Sequence, residues 1–512
     1  MFIKIGMLVV FFAVTIAIGL YCRRHSTDVN GFVLGGRSVG PWLTAFAYGT
    51  SYFSAVVFVG YAGQFGWKYG IAATWAGIGN ALLGSLMAWA FLGRRTRVMT
   101  QHLDSATMPQ FFESRFNSKA LKLAASAIIF IFLIPYTASL YNGLSRLFGM
   151  AFDIDYSVCV IVMAVLTGIY VIAGGYMATA INDFIQGIIM IGGIIAVIAA
   201  VLNSQGGFME ALNKLGQVSD PAVSETPGVF ASFFGPDPAG LLGVVILTSL
   251  GTWGLPQMVQ KFYAIKSEQA INKGLIISTI FAAIVAGGCY FLGGFGRLFQ
   301  VDVAKEGFDA VIPTMLSGLP TFLIAVVVVL VLAASMSTLS SLVLTSSSTL
   351  TLDFIKGNLV KKMDEKKQLL VMRALIVVFI LISVVLAIVQ YKSSVTFIAQ
   401  LMGVSWGALA GAFLAPFLFG LYWKKATRAS VWCSFAFSTV VMLANIFAKP
   451  LFPAILQSPI NAGAFCMIAG LIIVPVVSLL TPKMDKAYVD QVFSCYDRQV
   501  TVNVTDSIGD NK

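Results

Sequence analysis

Long apolar stretches separated by short polar segments follow one another along this chain. Each stretch is long enough to cross a bilayer core, which takes about 20 residues of α-helix. Thirteen of them can be counted, at roughly 2–21, 41–66, 70–93, 121–144, 155–174, 178–202, 239–261, 274–298, 319–349, 370–390, 396–422, 428–448 and 461–481. The pattern predicts an all-α integral membrane protein with about 13 transmembrane helices.

Composition and charge agree with this prediction. Of the 512 residues, 58% are hydrophobic and 11% are charged, whereas soluble domains average about 25% charged residues. The net charge of +11 does not indicate nucleic-acid binding, because the basic residues lie in short runs between apolar stretches. With the N-terminus outside, 25 of the 33 lysines and arginines fall in cytoplasmic segments, Lys261 among them. The positive-inside rule then predicts an outside N-terminus and a cytoplasmic C-terminus in the plasma (inner) membrane.

Two polar segments differ from simple connectors. Residues 98–120 place Phe111, Phe112 and Phe116 beside charged residues, which predicts a short helix in the cytoplasmic interface. Residues 484–512 are polar and are expected to form a loose tail.

Polar residues within apolar stretches are the candidates for function, because polar groups are costly inside a bilayer. The second stretch contains a cluster of glycine and hydroxyl residues, Tyr48–Ser54. An unwound turn here would free backbone carbonyls, which are hard oxygen donors suited to an alkali ion. The alternative is a face of small residues that packs against another helix.

The seventh stretch contains glycines and a proline, in the segment Thr248–Gln257. They predict a break or kink. Broken helices five stretches apart are the offset expected for two inverted five-helix repeats with a binding site between them.

The ninth stretch contains hydroxyl residues within about one helical turn, at Ser337, Thr338, Ser340 and Ser341. Together these hydroxyls could coordinate Na⁺, and the alternative is again a serine stripe for helix packing. Asp183 is the clearest carboxylate in an apolar stretch. We expect it to face a cation, because an unpaired buried carboxylate is costly. The alternative is a capping residue near the cytoplasmic end.

Four further side chains are weaker candidates, because each is a polar or amphipathic group in an apolar stretch: Asn80, Tyr136, Asn142 and Trp406. The sequence has no phosphate-binding loop and no nucleophile paired with a base, so it does not predict an enzyme.

Several short segments resemble signatures of the sodium/solute symporter family, in the same order along the chain. They are Gly31–Gly40, Gly174–Tyr176 with Asn182–Gly187, Ala334–Ser341 and Gly420–Trp423. The resemblance covers essentially the whole chain. It implies thirteen helices around a ten-helix inverted-repeat core of the LeuT type.

The resemblance also implies how this single transporter domain, residues 1–512, is organised. Its parts would be a first helix and cytoplasmic loop (1–40), a first repeat (41–202), a second repeat (239–422), two extra helices (428–481) and a cytoplasmic tail (484–512).

By motif position, the resemblance further implies the binding residues. Sodium would bind the backbone carbonyls of Thr50, Phe53 and Ala334 and the hydroxyls of Ser337 and Thr338. A second sodium ion would bind Asp183, Ser340 and Ser341. The solute would bind near Tyr52, Ser54, Asn80, Tyr136, Trp253, Pro256 and Trp406.

Within the family, the chain looks most like the proline and pantothenate branches. Trp67–Gly70 and Gly254–Pro256 resemble the pantothenate type. The chain departs from these branches at Gln257, where they have histidine, and at Tyr52, where the proline type has aspartate.

The sequence thus predicts a sodium-coupled symporter that imports a small organic solute bearing a carboxylate, which could be pantothenate, proline or another amino acid, or a monocarboxylate. A sugar is a less favoured alternative. Its partners would be the solute, sodium and membrane lipid, with no nucleic acid and no obligatory protein partner. The alternatives are a proton-coupled permease working through Asp183 and an uncoupled permease or channel.

Overall fold

The computed structural model describes residues 2–23, 27–152, 155–356, 358–360, 362–393 and 398–497. These residues are almost entirely helical, and among them there is no β-strand. The first ten α-helices are α1 (Phe2–Cys22), α2 (Val29–Leu34), α3 (Pro41–Tyr52), α4 (Ala62–Tyr69), α5 (Thr74–Gly79), α6 (Arg94–His102), α7 (Met108–Phe116), α8 (Lys119–Phe152), α9 (Tyr156–Ser204) and α10 (Phe208–Gln217).

The remaining α-helices are α11 (Pro238–Gly254), α12 (Pro256–Ala264), α13 (Glu268–Gly293), α14 (Val303–Glu306), α15 (Val311–Ser317), α16 (Thr321–Thr349), α17 (Glu365–Ser393), α18 (Ile398–Tyr422), α19 (Arg428–Phe447), α20 (Pro459–Leu480) and α21 (Lys486–Phe493). Segments of π-helix extend or connect them at Val56–Tyr61, Asn80–Met87, Trp89–Gly93 and Leu350–Ile355.

Among the described residues, ten helical runs are long and apolar enough to cross a membrane, or eleven if the bent pair α11 and α12 forms one span. The predicted all-α membrane fold is confirmed, while the count of thirteen helices is not. Glycines with positive φ interrupt two of the helical runs. Gly70 has a φ of 61°, and Gly175, within α9, has a φ of 57°. Residues with a Cβ rarely adopt this conformation, so glycine permits both interruptions.

Both predicted helix breaks are present. α3 ends at Tyr52, Phe53 is extended, and helical structure resumes as a π-helix at Val56. α11 ends at Gly254, and after the extended Leu255 the chain bends by 45° into α12. Pro256 begins α12, where its missing N–H costs no helical hydrogen bond.

The long helix α16 runs through the centre of the protein, with every residue from Val327 to Thr349 buried. It packs against α3, α8, α9 and α12. The hydroxyl-rich face of α16 therefore meets both broken segments, α3 and α12.

Two helices, α4 and α13, touch through their backbones. A Cβ on Gly66 would lie 1.9 Å from the carbonyl oxygen of Gly293, and one on Gly293 would lie 2.1 Å from the carbonyl oxygen of Ala62. Glycine is required at both positions, because only the absence of a side chain allows the two backbones to come so close.

The helix predicted within residues 98–120 is present as α7, but its phenylalanines do not face lipid. Phe111 and Phe112 are fully buried and pack against Phe417 and Phe413 of α18, with ring centroids 4.7 and 5.7 Å apart. The prediction of an interfacial helix is wrong in this respect, because other helices of the protein cover the apolar face of α7.

The predicted loose tail is also wrong in its first part. Residues Lys486–Phe493 form α21, and the Tyr488 hydroxyl donates a hydrogen bond to the carbonyl of Ser114. The guanidinium of Arg115 lies 4.9 Å from the ring centroid of Phe493. These contacts order the segment, since a polar composition does not prevent a short amphipathic helix from packing. Residues 498–512 lie outside the described part of the chain.

Candidate functional site

All five residues predicted to bind sodium come together between the break in α3 and the centre of α16. The Thr338 Oγ1 atom lies 3.1 Å from the Thr50 carbonyl oxygen, 3.3 Å from that of Phe53 and 3.1 Å from that of Ala334. The Ser337 Oγ atom lies 3.1 Å from the Thr50 oxygen and 3.0 Å from the Ala334 oxygen. We call these five oxygens the oxygen cluster.

Local structure explains why these oxygens converge. Because α3 ends at Tyr52, no further turn of regular α-helix follows whose N–H groups could bond the carbonyls of Thr50 and Phe53. Both carbonyls instead accept hydrogen bonds from side chains of α16. Serine and threonine hydroxyls in a helix often bond the carbonyl three or four residues earlier, as Ser337 and Thr338 do at Ala334. Neutral, buried oxygens are a donor set that suits an alkali ion.

The predicted second sodium site has a different arrangement. The Asp183 carboxylate is fully buried, and the Lys261 ammonium lies 3.9 Å from its Oδ2 atom. The same ammonium donates a 3.1 Å hydrogen bond to the Ser341 hydroxyl. The Ser340 hydroxyl instead donates to the carbonyl of Ser337 within its own helix, at 2.8 Å.

Lys261 corrects the assignment of cytoplasmic charges. The sequence predicts that Lys261 lies in a cytoplasmic segment, but the residue belongs to α12 and its side chain is only 2% exposed. Burial is tolerated because Asp183 and Ser341 provide a carboxylate and an oxygen acceptor.

Four of the predicted solute-binding residues form an aromatic and amide group beside the oxygen cluster. Tyr52 lies two residues after Thr50 of the oxygen cluster, and its ring centroid lies 5.7 Å from that of Trp406. The Tyr136 ring meets Trp406 edge-on at 5.9 Å. The Asn80 amide donates a hydrogen bond to the Tyr52 hydroxyl.

Three buried polar atoms, two in this group and one at the neighbouring Ser54, have no hydrogen-bond partner among the described residues. They are the Ser54 hydroxyl, the Tyr136 hydroxyl and the indole N–H of Trp406. The Tyr136 hydroxyl lies beside the other two without forming a hydrogen bond of ordinary geometry. Buried polar groups are nearly always hydrogen-bonded, so three such groups close together make this a candidate site for a polar ligand.

This group is closed to solvent in the structure, because the side chains of Tyr52, Asn80, Tyr136 and Trp406 are all buried. The cavity lined by Tyr48, Tyr52, Asn80, Thr252 and neighbouring residues has a volume of about 10 Å³, which is at the limit for one water molecule. A solute could enter only after the surrounding side chains or helices move apart.

Two predicted solute residues are placed differently. The Trp253 indole donates a 2.8 Å hydrogen bond to the Leu83 carbonyl, and its ring packs on Phe91, which is 44% exposed. Trp253 therefore joins α11 to the neighbouring π-helix instead of the Tyr52 group. Pro256 lies at the break before α12.

Three further residues complete these groups, and none of them was predicted individually as a site residue from the sequence. The Tyr290 hydroxyl is 3.3 Å from that of Tyr52, and the Ser51 hydroxyl is 2.9 Å from that of Ser341. Lys261 is the third. The polar pattern contained a signal for Ser51, which lies between the candidates Thr50 and Tyr52, but Tyr290 and Lys261 are identified only by their three-dimensional contacts.

Comparisons with known proteins agree with this architecture. The family model of the sodium:solute symporter family matches residues 32–435. Sodium/proline symporters of several Staphylococcus aureus strains are 31% identical to the chain over 500 residues, which covers 94% of this chain and 92% of theirs.

Two solved structures have a similar fold. A Na⁺-coupled sialic acid symporter in a substrate-bound outward-open state aligns with a TM-score of 0.71 at 18% identity, covering 95% of this chain and 99% of that one. A closed nucleobase-cation-symport-1 family transporter aligns with a TM-score of 0.50 at 14% identity, covering 90% and 97%. The fold is the LeuT-like fold of sodium symporters. The protein is a membrane transporter, not an enzyme, with sodium as its coupling ion, and the chain belongs to the sodium:solute symporter family.

Proposed function

We propose that this symporter imports a small organic solute that bears a carboxylate, with sodium bound at the oxygen cluster and the solute bound beside Tyr52 and Trp406. The observation that carries the proposal is that one short segment, residues 50–54, supplies both groups. Its carbonyls at Thr50 and Phe53 belong to the oxygen cluster. Its side chains at Tyr52 and Ser54 belong to the solute-binding group.

This shared segment provides a physical route for coupling. A sodium ion at the oxygen cluster would hold the break in α3 against α16. Tyr52 and Ser54 would then be fixed in position for the solute. Because linkage is reciprocal, a solute that orders the same segment raises the affinity for sodium by the same factor.

The chemistry of the solute-binding group favours an anionic or strongly polar end on the solute. The unsatisfied groups at Ser54, Tyr136 and Trp406 are hydroxyl and indole donors, and a carboxylate accepts strong hydrogen bonds from such donors. The ring faces of Tyr52 and Trp406 would cover the apolar part of the solute. The name of the Staphylococcus aureus relatives makes proline or another amino acid the first candidate, while pantothenate and short monocarboxylates present the same carboxylate.

The remaining features fit alternating access between two inverted repeats, 41–202 and 239–422. In this proposal α3 and α12 are the broken helices of the two repeats, and Pro256 and Trp253 position the second break. The excess of basic residues in alternate segments supports an orientation in the plasma (inner) membrane with the N-terminus outside and the C-terminus in the cytoplasm.

Thermal stabilisation of the purified full chain tests the proposal. Candidate solutes are added in NaCl and, separately, in KCl. A solute that binds the folded state raises the apparent Tm, and we expect this rise only in sodium. Ser337→Ala should remove the sodium dependence. Equal stabilisation in both salts would overturn sodium-dependent solute binding at this site.

A further inference from the structure

A buried lysine lies where the sequence predicts a second sodium ion. Lys261 extends from α12 to the residues expected to hold that ion, Asp183 and Ser341. The Lys261 ammonium lies 5.1 Å from the ring centroid of Tyr176, which gives it a cation–π contact as well. Three helices, α9, α12 and α16, thus meet around one covalently attached positive charge.

The buried Asp183 carboxylate needs the positive charge of Lys261 as its counter-charge. Neither of its oxygens has a hydrogen-bond partner among the described residues, and Lys261 forms its ion pair. A buried carboxylate without a counter-charge is strongly unfavourable. Some cation must therefore accompany Asp183 in this closed form, and the lysine provides it from within the chain.

Lys261 is also joined to the oxygen cluster through hydrogen bonds. The Ser341 hydroxyl that accepts from Lys261 is 2.9 Å from the hydroxyl of Ser51. Ser51 directly follows Thr50, whose carbonyl belongs to the oxygen cluster. A positive charge at Asp183 therefore acts on the same helices, α3 and α16, that the coupling sodium ion joins.

We propose that the Lys261 ammonium is a tethered cation that replaces a second sodium ion, so that this symporter binds and moves one Na⁺ per solute. The inference rests on the proposed sodium site at the oxygen cluster. An ammonium group and an alkali ion both carry one positive charge and both take oxygen ligands, and two such charges cannot share the space between Asp183 and Ser341.

The consequence is a limit on solute accumulation. A coupled sodium ion contributes about 2.3 kcal/mol per 100 mV of membrane potential, which corresponds to roughly a 50-fold concentration ratio. Compared with a symporter that moves two sodium ions, a one-sodium symporter lacks a second factor of roughly 50 in the solute concentration ratio at this voltage. Its transport rate, however, depends less steeply on external sodium.

Equilibrium binding of ²²Na⁺ to the purified full chain tests the proposal without knowledge of the solute. We expect one saturable site in the wild type and two in Lys261→Ala, because removal of the ammonium leaves a carboxylate and a hydroxyl free for an ion. The double variant Asp183→Asn/Lys261→Met should return to one site. Lys266→Ala is the matched control, because Lys266 is an exposed lysine five residues further on, and it should keep one site.

The outcomes separate this inference from the proposed function. Two sites in the wild type, or one site in Lys261→Ala, would overturn the tethered-cation proposal. Retention of the wild-type site in Ser337→Ala would instead overturn the sodium site at the oxygen cluster. Lys261→Ala has a folding risk, so its apparent Tm is measured in NaCl and in choline chloride. We expect sodium to raise the apparent Tm of Lys261→Ala more than that of the wild type. An equal rise in both proteins would also contradict the proposal.

Discussion

Two places one helical turn apart on α16 handle positive charge in different ways. At Ser337 and Thr338 all the oxygen donors are neutral, so a sodium ion bound there as proposed could leave without exposing an unpaired buried charge. At Ser341 the chain places both a carboxylate, Asp183, and an ammonium, Lys261, and neither can leave. The difference teaches that an exchangeable ion site needs oxygen donors that remain stable when no ion is bound. A fixed charge pair is suited instead to a permanent link between helices.

The largest expected effect comes from breaking the fixed pair. Asp183→Ala leaves the Lys261 ammonium buried without its carboxylate, which typically costs 3–5 kcal/mol. We expect a lower apparent Tm in detergent, measured by fluorescence-detected unfolding. The neutral double variant Asp183→Asn/Lys261→Met is the control and should recover most of the loss. A double variant as unstable as Asp183→Ala would show that packing, not charge pairing, dominates this region.

A second buried carboxyl sharpens the comparison, because it lies outside the spanning helices. Burial raises the pKa of Asp309 to about 6, although the Ile398 N–H and Arg146 act in the opposite direction. The folded protein thus holds this proton more tightly than the unfolded chain. The resulting stability is full below about pH 4 and is lost as the pH rises through about 6.

The total loss in stability should be about 2–3 kcal/mol. Apparent Tm values measured from pH 4 to pH 8 check this for the wild type and for Asp309→Asn. The variant should have a flatter profile in this interval, and an unchanged slope between pH 4 and 6 would contradict the assignment.

A substitution at the oxygen cluster should change the affinity for sodium more than the stability of the protein. Thr338→Ala removes a hydroxyl that lies within 3.3 Å of three carbonyl oxygens. A polar contact to a charged group is worth about 1.5–3 kcal/mol, so we expect the sodium concentration for half-maximal transport to rise about 10- to 100-fold.

Sodium titration of solute uptake in proteoliposomes measures this change. Ser348→Ala is a matched control, since its hydroxyl bonds only the Thr345 carbonyl of the same helix among the described contacts. Normal sodium activation in Thr338→Ala would remove this residue from the site.

The smallest expected effect concerns the solute. Tyr52→Phe removes a hydroxyl that accepts from Asn80 and lies 3.3 Å from the Tyr290 hydroxyl. The loss of such a hydrogen bond costs about 0.5–1.5 kcal/mol, which predicts a solute KM about 3- to 10-fold higher. Tyr61→Phe is the control, because that buried hydroxyl has no hydrogen-bond partner among the described residues. Equal effects of the two variants would argue against a role for Tyr52.

The convergence of the five oxygens in the oxygen cluster could be predicted from the sequence, because they lie in two short segments that each have a recognisable local pattern. That they bind sodium stays a prediction. The sequence also predicted the breaks in α3 and between α11 and α12, which follow from glycine and proline. It did not predict the place of Lys261. A lysine three residues before the end of its helix at Ala264 resembles a cytoplasmic flanking charge, and only packing against α9 and α16 shows that it is buried.

The same reasoning explains the errors at α7 and at the tail. The sequence correctly indicated an amphipathic helix at Met108–Phe116, but amphipathicity does not say whether lipid or protein covers the apolar face. The partners of Phe112 come from α18 and α19, about 300 residues further along the chain. Such distant contacts follow from the tertiary fold and leave no local signal.

The glycine contact between α4 and α13 has a mechanical consequence. At Gly66 and Gly293 the two backbones are in direct contact, so no flexible side chain lies between the helices at this point to absorb a displacement. The two helices should therefore move together as one rigid unit, so that a displacement of one is transmitted fully to the other. We expect bending during the transport cycle to occur instead at hinges formed by the extended residues Phe53 and Leu255.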